Sequence, residues 1–181
     1  WGGASVQHAV TRSVRDSALL LDVICAPQPG DPYFLAPPAT PFVEEVRRDP
    51  GKLRIGVISG ALDGGSIDPE CSAAVADVAR LCESLGHSVD EVALGLDFDA
   101  IRDAAGGVIA ASVHATLEMV TAQRGRPLED GEVDLITRAM ASRGARVTGA
   151  AYVQGMQTLH AAGRAVAAIH ERFDVLLSST L

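Results

Sequence analysis

The stretch Asp63-Gly64-Gly65-Ser66-Ile67 is the first place in this chain where residue types and spacing could do chemistry. Backbone amides of consecutive glycines can hold an anion, and a serine on such a turn can be presented as a nucleophile. A serine needs an activating base, however. No histidine is near in sequence, and Lys52, the sole lysine, stands at the far end of the preceding apolar run. The loop therefore reads as a polar turn entering a helix that Asp68 caps. Histidine offers His8, His87, His114, His160 and His170. Only His114 has an acidic neighbour at helical i,i+4 spacing, Glu118, and a third metal ligand is not evident. His160 and His170 would lie roughly 15 Å apart along one helix, and Cys71 and Cys82 about 16 Å, too far to share an ion. These read as surface or core side chains. Gly106-Gly107-Val108-Ile109-Ala110-Ala111-Ser112 is a different kind of signal, because small residues on a long helix leave room either for a ligand or for a tightly packed neighbour.

The elements that would position these residues follow from periodicity and caps. Ser13 to Cys25 carries an apolar helical stripe, with Ser13 and Asp16 arranged as a capping box. A proline-rich connector from Ala26 to Pro50 then follows an extended path, with a short helix near Phe42 to Arg48. Leu53 to Ser59 is a near-continuous apolar run, as expected of a strand buried on both faces. Asp68-Pro69-Glu70 opens a helix that closes at Gly86, and His87 to Val92 is the next strand, giving a βαβ unit. The second half is helical. Asp97 to about Gln123 reads as one long helix weakened at Gly106-Gly107. Glu129 to Arg143 reads as a second, and Thr148 starts a third that runs to Arg172. Phe173 to Ser178 returns to strand.

Composition limits the function classes. The 181 residues are 48% hydrophobic and carry 15 Lys+Arg against 23 Asp+Glu, a net charge of -8. That suits one compact α/β domain and presents the wrong field to a phosphate backbone, so nucleic acid is not an expected partner. The longest uncharged stretch, Ala104 to Leu117, is too short to span a bilayer, so no membrane is expected. Three cysteines without disulfide-like spacing, and no leader-like segment at Trp1, point to a reducing cytoplasm. The chain opens on Trp1-Gly2-Gly3 and stops at an apolar strand-like run, which reads as a part of a longer protein. Residues 1–181 are expected to form a single segment.

Four motifs in order carry a resemblance. They are Thr11-Arg12-Ser13-Val14-Arg15-Asp16-Ser17-Ala18-Leu19-Leu20-Leu21-Asp22, Pro50-Gly51-Lys52-Leu53-Arg54-Ile55-Gly56-Val57, Asp68-Pro69-Glu70 with Leu81-Cys82-Glu83-Ser84-Leu85-Gly86-His87, and Phe173-Asp174-Val175-Leu176-Leu177. Together the chain resembles the downstream, C-terminal part of the amidase signature family. The resemblance implies a mixed β-sheet covered by helices, and amide hydrolysis through an acyl-enzyme by a Ser, cis-Ser, Lys triad, without a cofactor or metal. It also implies that no catalytic residue is present here, because in the family the triad precedes the Arg-Ser-Val-Arg-Asp helix. Lys52 follows that helix, and Ser66 lies in the wrong place, with Asp68 after Ile67 where the signature has arginine. Ser178-Ser179-Thr180 stands where many relatives have Thr-Pro-Thr. On this reading the segment supplies sheet and pocket walls for a small-molecule amide, and a homodimer is compatible with it. The same scaffold serves the catalytic subunit of glutamyl-tRNA amidotransferase, and a non-catalytic binding or assembly module is a further alternative. Helical geometry, with the family's use of this helix beside the pocket, makes Gly107, Ile109, Ser112, Val113 and Thr116 the expected substrate-facing residues. Ile109, Ser112, Val113 and Thr116 form one stripe, and Gly107 is placed near its edge.

Overall fold

The computed structural model describes residues 1, 3, 5–31, 34–62 and 65–179. Contacts divide the chain into two units, Ser5–Gly51 and Trp1–Ala4 with Lys52–Leu181.

In the first unit, α1 spans Val14–Ile24 and α2 spans Phe42–Glu45. Ser13 caps α1 as its position predicts, its hydroxyl accepting from Asp16 N at 3.1 Å. The reciprocal half of the capping box is absent, because the Asp16 carboxylate lies 3.6 Å from Arg15 Nε instead. α2 stops three residues short of Arg48, whose guanidinium turns back to Glu45 at 2.6 Å. Its free first amides are satisfied from a distance. The Asp22 carboxylate near the end of α1 accepts from Phe42 N at 2.7 Å and Val43 N at 3.0 Å, so one side chain fixes the two helices together.

In the second unit the order is β1 Arg54–Val57, α3 Pro69–Ser84, β2 Ser88–Glu91, α4 Phe98–Arg124, α5 Leu135–Gly144, α6 Gly149–Ile169 and β3 Val175–Leu177. The sheet order is β2-β1-β3, and β1 pairs in parallel with both neighbours, Ile55 opposite Val89 on one side and Val175 on the other. Central placement explains the apolar run: Ile55, Gly56 and Val57 are all buried. Gly56 is required there, since a Cβ would come within 2.8 Å of Leu176, 2.9 Å of Val92 and 3.1 Å of Phe173. Phe173 and Val75 complete this core.

The helical half has its own core around α4, which packs on both α5 and α6. Val108 and Ala110 are each only 1% exposed. Gly155 of α6 sits on the Ala104–Val108 ridge and Gly144 of α5 sits on Ala110 and His114, the missing side chains permitting close approach. α4 is the one long helix expected, and it runs through Gly106-Gly107 while packing on α5 and α6. Two other sequence expectations are corrected here. α5 begins at Leu135, not Glu129, since Asp134 is the cap and residues 129–134 are held in a turn by the ion cluster described below. α6 ends at Ile169, and the turn through Arg172 brings Phe173 into the sheet core. By length and apolarity α4 also meets the requirement for crossing a bilayer that its uncharged stretch alone does not, a requirement long core helices share.

Candidate functional site

The side chains expected to face substrate are placed by α4, which Asp97 opens by accepting from Ala100 N at 2.9 Å and Gly125 closes in the left-handed region. With about 100° of rotation per residue, Ala104 and Val108 point to α6 while Ala110 and His114 point to α5. Ile109, Ser112, Val113 and Thr116 share the remaining face. Ile109, Ser112 and Val113 are half-buried and Thr116 is exposed. Both hydroxyls on this stripe turn back into the helix: Ser112 Oγ donates to Val108 O and Thr116 Oγ1 to Ser112 O, each at 2.9 Å. What they present outward is therefore acceptor lone pairs and methyl surface. Gly107 does not lie at the edge of this stripe. It is roughly 160° from Ile109 by the same rotation, and a Cβ there would meet nothing within 4 Å. Gly107 stands two residues before Ile109, and two residues of helix turn a side chain by about 200° to the far side.

The other candidates are dispersed. Asp63 and Gly64 lie outside the described residues, so the Gly-Gly-Ser loop is characterised only from Gly65 onward, where Asp68 accepts from Glu70 N at 2.8 Å and starts α3. His114 Nε2 is 3.6 Å from Glu118 Oε1, one pair on a helix surface. His87 has a backbone role, its Nδ1 accepting from Leu53 N at 3.2 Å. Cys25, Cys71 and Cys82 are free thiols.

The two ends of the sheet differ sharply. At the amino end the Asp174 carboxylate accepts from Arg54 N and Nη2, both at 2.8 Å, and from Nε at 3.3 Å, while Arg54 Nη1 donates to Glu171 O at 3.1 Å. The guanidinium and the amide of Arg54 hold the Asp174 carboxyl down at about 2. At the carboxyl end Ile58 N donates to Leu177 O at 2.9 Å. Ser59, hydrogen-bonded to Glu91, and Ser178, whose hydroxyl donates to Ser179 O at 3.0 Å, follow the last paired residues. A cavity of about 400 Å³ adjoins Leu177, Ser178 and Ser179 and is walled by Cys71, Ala74, Val75 and Val78 of α3. The sequence reading missed the amino-end clamp, whose only signal was an arginine opening one strand run and an aspartate opening another. It missed equally the cluster in which Glu132 accepts from Arg124, from Arg126 Nη2 at 2.8 Å and from Glu129 N at 2.8 Å. Those donors, the Arg126 guanidinium first, keep the Glu132 carboxyl far below the usual carboxylate range.

Comparison with known proteins bears on this arrangement. The family model described as Amidase matches residues 4–181. The chain belongs to the amidase family. Among curated amidase relatives, the 6-aminohexanoate-cyclic-dimer hydrolase of Paenarthrobacter ureafaciens is 32% identical over 99% of this chain and 37% of its own length. An amidase of Pseudomonas putida is 29% identical over 95% of the chain and 35% of its own length. A solved structure of 6-aminohexanoate cyclic dimer hydrolase complexed with substrate superposes with a TM-score of 0.76 at 30% identity, covering 90% of this chain and 34% of that one. A bacterial aryl acylamidase superposes at 0.79 over 93% of this chain and 35% of that one. At 21% identity, this second match speaks for the amidase fold alone. The chain thus spans little more than a third of the length of the amidases it matches, and its mixed α/β architecture with a small parallel sheet is theirs.

Proposed function

We propose that this chain is the sheet-and-wall portion of an amide hydrolase that acts on small-molecule amides through a serine acyl-enzyme. The observation that carries the reading is the amidase match across residues 4–181. The hydrolytic Ser, cis-Ser and Lys would stand in residues outside this chain, and the chain by itself would be inactive. Lys52 and Ser66 belong to different loops, and among the described residues no hydrogen bond joins the Ser66 hydroxyl to a base of the kind a serine nucleophile needs. The stripe of Ile109, Ser112, Val113 and Thr116 would form one wall of the substrate pocket, its acceptor oxygens suited to an amide N–H and its methyl surface to an aliphatic arm. The enzyme would work in the cytoplasm as a soluble protein, as a homodimer or a monomer, without nucleic acid or membrane as partner.

The amidotransferase reading draws on shorter similarity. The glutamyl-tRNA(Gln) amidotransferase chain of this family from Listeria welshimeri is 35% identical over 47% of the chain, against 99% for the cyclic-dimer hydrolase. Hydrolysis of aryl, aliphatic and cyclic amides by the full-length protein is the test. Turnover in at least one class is expected, and none in any class would leave the non-catalytic module as the better reading. The isolated 181-residue chain should show none. Turnover by it that Ser66→Ala abolishes would place the nucleophile here.

A further inference from the structure

Gly106 and Gly107 stand side by side in α4, and their surroundings differ. A Cβ on Gly107 would meet nothing within 4 Å, whereas one on Gly106 would lie 3.2 Å from both Nη1 and Nη2 of Arg143 and 3.5 Å from its Cζ. Gly106 is thus the seat of a guanidinium that α5 lays across α4, and the missing side chain lets the charge come down onto the helix surface. The seat borders the stripe expected to face substrate. Gly106, Ile109 and Val113 are spaced i, i+3 and i+7, and Val113 is only about 20° from Gly106 around the helix axis. Other arginines near by are already paired. Arg102, about one turn before the seat, holds Asp99 at 2.9 Å, and Arg138 on α5 holds Asp130 at 3.4 Å. Arg143 is exposed and, among the described residues, has no carboxylate within 4 Å.

We propose that Arg143 is a specificity-determining residue of the amide hydrolase, and that from its seat on Gly106 it takes a carboxylate carried by the amide substrate. The proposal rests on the hydrolase reading above, with the α4 stripe as pocket wall, and names its substrate class. A guanidinium offers parallel N–H donors that match the two oxygens of a carboxylate, which a single point charge does not. Ser112 lies on the same stripe, roughly 9 Å from Gly106 along the helix axis. Its hydroxyl proton is committed to Val108 O, which leaves its oxygen as an acceptor for an amide N–H. A ligand that meets both groups is a linear amide with its carboxylate at the far end of an extended arm. The chain carries a net charge of -8, so an anionic substrate needs a local cation to offset that field.

The test uses the full-length protein and two probes, adipamate and hexanamide, linear amides that differ in a terminal carboxylate against a terminal methyl. Arg143→Gln should lower the ratio of kcat/KM for adipamate over hexanamide by about tenfold or more, chiefly through KM for adipamate. Gly106→Ala keeps the arginine and removes its seat, and should lower the same ratio. Arg143→Lys supplies charge without the fork and should recover only part of it. A second readout does not depend on turnover. Adipate has carboxylates and no amide, and calorimetry should show the parent binding it about tenfold or more tightly than Arg143→Gln does. Hexanamide turnover without adipamate turnover, an unchanged ratio in Arg143→Gln, or adipate binding indifferent to that substitution overturns the proposal while leaving the hydrolase reading intact. A lower melting temperature for Arg143→Gln with an unchanged ratio overturns it too, because the guanidinium then serves a carboxylate of the protein itself. Adipate binding that depends on Arg143 in a protein that turns over no amide has the opposite meaning: the carboxylate site stands and the hydrolase reading falls.

Discussion

Replacing Gly144 by alanine should cost more than any other single methyl added to the helical half. An ideal Cβ at this position would lie 2.0 Å from the Ala110 carbonyl oxygen, 2.5 Å from its carbon and 2.8 Å from His114 Cβ. Two of these three atoms are backbone, so no side-chain rotation relieves the clash. Restoring an ordinary contact of about 3.5 Å requires α5 to retreat from α4 by more than about 1 Å. A retreat of that size takes the neighbouring pairs along α4 and α5 off their optimal separation. Overpacking of this kind costs about 1–3 kcal/mol, and the helix propensity of alanine over glycine returns up to about 1 kcal/mol. Because the clash is with backbone, the upper end of that range applies, and the net loss of about 2 kcal/mol should lower the melting temperature by about 4 °C or more. Gly163 of α6 supplies the matched control, because a Cβ there meets nothing within 4 Å. Gly163→Ala should therefore gain about 0.5–1 kcal/mol from propensity alone. Calorimetric melts of the two variants beside the parent check the reasoning. A Gly144→Ala protein as stable as Gly163→Ala would refute the claim that α4 and α5 touch through bare backbone.

Asp174 sets an acid limit on stability. Its carboxyl titrates at about 2 in the folded protein, below the ordinary value of 3.8, so the stabilisation is complete above the ordinary value and is lost as pH falls toward 2. Asp174→Asn should lower the melting temperature at pH 7 and flatten its dependence between pH 4 and 2, and added salt should shrink the difference because both partners are partly exposed. Glu132→Gln should raise amide hydrogen exchange across residues 125–134 and leave α6 unchanged; equal protection in parent and variant would show that the ion cluster does not order this turn. Ser112→Phe should slow hydrolysis of a large amide at least tenfold more than that of a small one, and Gly107→Ala, on the opposite side of α4, should leave both rates unchanged. Equal loss for both amides in Ser112→Phe would mark a packing defect.

What could be read from sequence was what local chemistry determines. Ser13, Asp68, Asp97 and Thr148 start helices because each side-chain oxygen satisfies an amide two or three residues ahead, a relation visible within one turn. The buried central strand was legible for a similar reason, since Ile55 to Val57 has no polar position to spare. Asp134 was missed as a cap because Glu129, Asp130 and Glu132 just ahead of it look equally suited, and Arg124 and Arg126 decide between them from across the turn. Gly144 looks in sequence like any helix-ending glycine, and its contact with Ala110 exists only after α4 and α5 have met. Gly107 shows the converse, where small size suggested room for a ligand and helical phase put the residue elsewhere. For the candidate site, motif order pointed to the family, while the meeting of Leu177 and Ser178 with α3 depends on a strand order that no local signal encodes.

The clamp between Arg54 and Asp174 joins residues 120 positions apart. Its consequence concerns time. β1 and β2 are separated by a single helix and can pair early, and α4, α5 and α6 can associate through short connections, each a closure of modest entropic cost. β3 can take its place beside β1 only after the intervening helices have condensed enough to return the chain to the sheet. Until then one side of β1 keeps unpaired amides and carbonyls, open to any passing strand. The last step of assembly thus ends a period of vulnerability, and the Arg54–Asp174 pair sits where that step is sealed.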